Sequence, residues 1–145
     1  MVPDFEILTS LPADIDRLLA ASREEGYNLM ERLVDDWNDH SNQFSDDGEV
    51  LLGARLDDTL VAVGGLNRDP YVDVPTVGRL RHVYVHPEAR GTGVGRQLVL
   101  ALLERARGNF SRLRVRAGPP GAGSFYDALG FEASSEPDAT HVLVI

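Results

Sequence analysis

Val83-Tyr84-Val85-His86-Pro87-Glu88-Ala89-Arg90-Gly91-Thr92-Gly93-Val94-Gly95-Arg96 is the most informative stretch of the chain. Val83, Tyr84 and Val85 are β-branched or aromatic and read as the end of a strand. His86-Pro87-Glu88-Ala89 breaks it. From Val94 the apolar residues Leu98, Ala101 and Leu102 recur at three and four residues, which predicts a helix over 94–107 with Gly108 beyond its end. Between strand and helix lie three glycines at alternate positions, Gly91, Gly93 and Gly95. A chain without Cβ atoms turns tightly there and lets its amides approach a ligand. Amides that open a helix have no partner in the preceding turn and sit at the positive end of the helix dipole. Gly91–Arg96 is therefore a candidate diphosphate cradle, with Arg90 and Arg96 able to add charge-assisted bonds.

Two other glycine-loop chemistries do not fit. A Walker loop needs a lysine, and this chain has none: all 14 of its Lys and Arg residues are arginine. A dinucleotide fingerprint read from Gly91 would require glycine at position 96, which is Arg96.

Outside this segment, Phe5, Ile7 and Leu8 read as a short strand. Leu11, Ile15, Leu18 and Leu19 read as a helix that starts near Ser10-Leu11-Pro12 and stops at Gly26. A second helix opens at Asn28, a good cap with Glu31 three residues on, and carries Leu29, Leu33, Val34 and Trp37. Two strands, 49–56 and 59–66, flank Asp57-Asp58 as a hairpin. Residues 67–75 read as a loop and 76–85 as one long strand. Strand 112–117, the break Gly118-Pro119-Pro120-Gly121, a short helix 122–129 and strands 131–134 and 141–145 follow. Two early helices, near-consecutive strands and later inserted helices indicate an α/β fold with a mixed, mainly antiparallel sheet.

The length, 145 residues, suits one domain spanning 1–145. The composition, 43% hydrophobic and 26% charged, is that of a globular protein. The chain has no cysteine, which excludes disulfides and a cysteine acyl-enzyme. The net charge of −9 disfavours nucleic acid as a partner. Residues 1–47 hold twelve acids and three arginines, and the remainder is neutral with eleven of each. No apolar run approaches the ~18 residues that cross a bilayer, and the N-terminus lacks a basic leader, so the expectation is a cytoplasmic protein with no membrane partner. His40, His86 and His141 show no ligand grouping, so no metal is expected.

These motifs resemble the GNAT superfamily of N-acetyltransferases. The family's coenzyme A motif, Arg/Gln-x-x-Gly-x-Gly/Ala, is matched by Arg90, Gly93 and Gly95. A second motif, Ala-x-x-x-Tyr-x-x-x-Gly-Phe, is met by Ala122, Tyr126, Gly130 and Phe131. The likeness covers residues 48–145. It implies a GNAT-like fold and an acetyl-CoA-dependent N-acetyltransferase that passes an acetyl group directly to a primary amine of a small molecule or peptide. The amides of Gly91, Thr92, Gly93, Val94, Gly95 and Arg96 would hold the diphosphate, and backbone groups of Val83, Tyr84 and Val85 would pair with the pantetheine arm. Tyr126 would be the general acid, against its reading as a core aromatic beside Phe125 and Phe131.

The base stays open between His82, which titrates near neutrality, and a water relay. Family members often place asparagine seven residues before the tyrosine, and here that residue is Pro119. Glu31, Asp35 and Asp39 share one helix face and would attract a cationic amine, against their reading as a solvated face. A homodimer is left open. The alternative function is a non-catalytic coenzyme A-binding or regulatory module on the same fold.

Overall fold

A computed structural model describes residues 2–145. Seven strands form one sheet in the order β1-β2-β3-β4-β5-β7-β6. They are β1 Asp4–Ile7, β2 Val50–Leu56, β3 Thr59–Arg68, β4 Val77–Val85, β5 Arg112–Val115, β6 Glu132–Ala133 and β7 His141–Val144. The helices are α1 Ile15–Glu24, α2 Leu29–Asn38, α3 Val94–Ala106 and α4 Ala122–Ala128. All neighbouring strands run antiparallel except β4 and β5. This is the mixed, mainly antiparallel α/β architecture expected.

Each sheet face is covered by its own apolar layer. On one face α3 presents Val94, Leu98, Val99, Leu102 and Ala106, all without exposed surface, against Leu66, Leu80 and Leu113. On the other, Leu18 of α1 and Met30 and Leu33 of α2 pack with Leu51, Val63 and Tyr84. A fully buried leucine contributes ~1.5–3 kcal/mol, so these stripes anchor helices too short to stand alone.

The β2–β3 hairpin turns at Asp57 and Asp58, both with positive φ (49° and 64°), as a two-residue turn of matching twist requires. The first two helices start differently from their sequence signals. α1 begins at Ile15, not near Leu11. Pro12–Asp14 is a turn, with the Ile15 amide donating to the Pro12 carbonyl at 3.0 Å. The Asp14 carboxylate makes no helix cap and instead accepts from Arg55 and from the Leu60 amide. Asn28 precedes α2 but makes no side-chain cap, and Glu31 reaches back to Arg23 instead of closing a capping box.

The strand expected to run unbroken over 76–85 carries a bulge. Val63 pairs with Tyr84 and Gly65 with Arg81, so His82 and Val83 together oppose Gly64. His82 takes φ 57°, a left-handed conformation uncommon for a non-glycine residue. The extra residue shifts the alternation: Leu80 and Val83 face α3, while His82 and Tyr84 face α2. β4 and β5 pair only from Val77–Arg112 to Arg79–Arg114. Beyond that point the two strands part, and Leu80–Val85 has no second neighbour.

Candidate active site

The gap between the parted strands opens into a cleft of about 1130 Å³. Its walls are the free edge of β4, the Gly91–Arg96 turn, the 115–122 segment and the start of α2.

The glycine turn is built as its spacing predicts. A 3₁₀ turn, Pro87–Ala89, ends the strand, with the His86 ring accepting from the Glu88 amide. Gly91 and Gly93 have φ of 78° and 87°, values closed to most side chains, and Gly93 caps α3 in that left-handed state. Among the described residues the amides of Gly91, Thr92, Gly93, Val94, Gly95 and Arg96 donate no hydrogen bond to backbone outside the helix, and the first helical bond is Gln97 to Gly93. Successive unbonded N–H groups alternating in handedness form a concave anion site. Val83 and Val85 line the cleft beside this turn, and Tyr84 turns its ring to the opposite, buried face.

The two arginines of the motif differ. Arg96 is exposed at the turn and forms no ion pair among the described residues. Arg90 is engaged. It donates twice to Glu25 at 2.7 Å, donates to the Val85 carbonyl at 3.1 Å and lies 5.6 Å from the Tyr84 ring centre. The Arg90 bonds hold the Glu25 carboxyl below its usual range. The Arg90 guanidinium is thus held by Glu25, whereas that of Arg96 is not.

Tyr126 projects from α4 into the opposite wall. It is 5% exposed, edge-on to Phe125 and Phe131, with ring centres 5.1 and 5.3 Å away. Its hydroxyl makes no protein hydrogen bond yet is not sealed off, so it meets the cleft. Burial raises this phenol above its ordinary range and keeps it protonated. The core-aromatic and cleft-lining readings both hold for one side chain.

His82 also lines the cleft, on the α2 side, 6.4 Å from the Phe44 ring. Its Nε2 is buried without a partner. Burial, with Arg81 and Arg32 nearby, lowers its pKa to about 3. The expectation that it titrates near neutrality is corrected, and at pH 7 the ring is neutral and a very weak base. Pro119 lies on the cleft wall, and its carbonyl accepts from the Ala122 amide at 3.1 Å.

The acidic stripe of α2 does not reach the site. Glu31 is paired with Arg23, Asp39 accepts from Ser41, Asp35 is exposed, and none of the three lines the cleft. The residues that do line it include Arg32, Arg79 and Arg81, together with Tyr71 from the loop before β4. Arg79 and Arg81 flanking Leu80 just ahead of the bulge were the available signal.

The acetyltransferase (GNAT) family model matches residues 14–131. A protein of Exiguobacterium sp. 255-15 that carries an acetyltransferase assignment has a crystal structure 32% identical to this chain. Its TM-score is 0.88, with 99% of this chain and 94% of that one covered. The N-alpha-acetyltransferase RimI of Mycobacterium tuberculosis is 36% identical over 86 residues, 56% of this chain and 51% of that protein. An uncharacterized protein of Mycobacterium leprae is 31% identical over 126 residues, 86% of this chain and 33% of that protein. The matches thus span a third to a half of these curated relatives' lengths. The fold is shared with Escherichia coli YhbS, a GNAT family N-acetyltransferase solved in complex with CoA. That structure is 18% identical, with TM-score 0.73 and coverage of 99% and 82%. With the glycine turn at the start of α3, the parted β4 and β5 and this family match, the chain belongs to the GNAT family of acetyltransferases.

Proposed function

We propose that this protein is an acetyl-CoA-dependent N-acetyltransferase that passes an acetyl group directly to a primary amine of a small molecule or peptide. One arrangement carries the reading: six consecutive unbonded amides, Gly91–Arg96, open directly onto the unpaired edge of β4. A diphosphate fits the first and an extended amide-bearing arm fits the second, by adding to the sheet as a strand would. Arg96 supplies the free cation. Bound acetyl-CoA would supply an acetyl thioester at the end of this groove, near the bulge.

The amine nitrogen bonds to the thioester carbon as the carbon–sulfur bond breaks, and the proton leaving nitrogen is balanced by one delivered to sulfur. Unpaired amides of β4 near the bulge are suited to polarise the carbonyl. Tyr126 is the proton donor to sulfur: its hydroxyl is protonated and has no competing acceptor. Burial and the nearby arginines make His82 a weak base, so the proton on nitrogen leaves through water.

Thermal shift with acetyl-CoA and thiol release over an amine panel test the reading. Saturating acetyl-CoA should raise Tm. An unchanged Tm would sink the cofactor assignment. Binding without thiol release from any amine would leave the coenzyme A-binding module as the better account.

A further inference from the structure

The chain carries a net charge of −9, yet among the described residues six arginines and no carboxylate line the main cleft. They do not share one task. Arg90 is held by Glu25, and Arg96 stands at the glycine turn. Arg79 is buried. It lies 4.8 Å from the Tyr71 ring centre and 3.5 Å from Asp69, which it shares with Arg114 at 3.1 Å; Arg114 also lies 3.6 Å from Glu136. The side chains of Arg81 of β4 and Arg32 of α2 form no hydrogen bond or ion pair among the described residues, although both residues line the cleft.

Arg32, Arg79 and Arg81 cluster at the end remote from the glycine turn. Four residues of strand separate Arg81 from Val85, roughly 13 Å at ~3.3 Å per residue, before the 3₁₀ turn begins. A diphosphate on Gly91–Arg96 therefore leaves Arg32 and Arg81 without an anionic partner in the cleft, although Arg79 has Asp69 and Arg81 also borders a second pocket lined by Asp46, Glu49, Asp69 and Asp73. Its field reaches His82, whose protonation Arg81 and Arg32 both oppose. Two unpaired guanidinium side chains beside the buried Arg79–Asp69 pair, in a partly enclosed site, attract an oxyanion and repel a second cation.

We infer that the acceptor is an amine that also carries a carboxylate, an amino acid or related amino-carboxylate, whose carboxylate bridges Arg32 and Arg81 and directs the amine to the bulge at His82. This rests on the acetyl-transfer reading and replaces a cationic acceptor drawn to α2 with an anionic one held inside the cleft. Arg32 and Arg81 are positioning and specificity residues. They take no part in the proton transfers.

The test is thiol release from acetyl-CoA with matched acceptors: amino acids, their carboxamides, the decarboxylated amines and an aminoalkylphosphonate. Carboxylates should exceed their amides in kcat/KM by about tenfold or more, the size of a charge-assisted bond. Arg81→Gln and Arg32→Gln should each shrink that preference by raising KM for the acceptor while leaving KM for acetyl-CoA unchanged. Equal rates for acids and amides, or a preference that survives both substitutions, would overturn the proposal. A phosphonate favoured over every carboxylate would overturn the carboxylate assignment. If acetyl-CoA binds but no thiol is released, the transfer reading fails by itself. Calorimetry of the same acids and amides against coenzyme A-saturated protein then decides: binding of acids alone, lost in Arg81→Gln, supports the anion site, and no discrimination refutes it.

Discussion

Glu25, at the end of α1, accepts two hydrogen bonds from Arg90, at the entrance to the glycine turn, each 2.7 Å long. The same carboxylate accepts from the Tyr84 hydroxyl on β4. One acid thereby ties an N-terminal helix, a central strand and the glycine turn together. It also withdraws one of the two motif arginines from the cleft. Arg96→Gln should therefore weaken acetyl-CoA binding by about tenfold, the loss of one charge-assisted contact, and Arg90→Gln by about threefold or less. Titration calorimetry of both variants checks this. Equal losses would mean that Arg90 leaves Glu25 when the ligand binds.

Glu25→Gln should lower stability by roughly 1 kcal/mol, because the pair is partly exposed and only the Tyr84 bond is well shielded. A drop in Tm of a few degrees in a thermal melt is the expected readout.

Tyr126→Phe should reduce kcat by about 10²–10⁴, the usual contribution of a positioned acid, with little change in KM for acetyl-CoA. Stability should be unchanged or slightly higher, since the hydroxyl satisfies no partner in the protein. Steady-state kinetics and a thermal melt together separate a chemical role from a packing one. Unaltered kcat would remove Tyr126 from the mechanism.

His82 binds its proton less readily folded than unfolded, with its pKa lowered from 6.5 to about 3. Between these values the unfolded chain holds the extra proton, so stability rises with pH. The contribution is complete above about 6.5 and is lost as pH falls toward 3, at up to about 1.4 kcal/mol per pH unit. Denaturant melts at pH 7, 6 and 5 should show His82→Gln losing less stability on acidification than the parent. Parallel curves would show that the ring is hydrated in solution.

Gly93→Ala should destabilise by roughly 1–2 kcal/mol through its backbone angle alone. The added Cβ would meet only the Gln97 side chain, at 3.9 Å, while φ stands at 87°. Acetyl-CoA affinity should fall with it, since relaxing φ turns the neighbouring amides out of line. A melt and a calorimetric titration read the two effects separately.

The glycine turn was legible because its cause is local. Three glycines between a strand pattern and a helix pattern leave the amides little else to do, and Gly91 and Gly93 adopt the angles that only glycine takes easily. The Asp57-Asp58 hairpin was legible for the same reason. The start of α1 was not. Asp14 has the chemistry of a helix cap, but a guanidinium and a strand amide forty residues away claim its carboxylate. The partner of Arg90 was hidden in the same manner, since its acid lies 65 positions distant.

Periodicity, turn chemistry and a motif confined to fourteen neighbouring residues are short-range properties, so the amino-acid order already dictated the fold class and the shape of the glycine turn. Which arginines stay free, where β4 and β5 part and how far burial depresses His82 depend on groups brought together from all along the chain. Packing and desolvation act on those assembled groups, and they, not residue type, set the charge along the cleft.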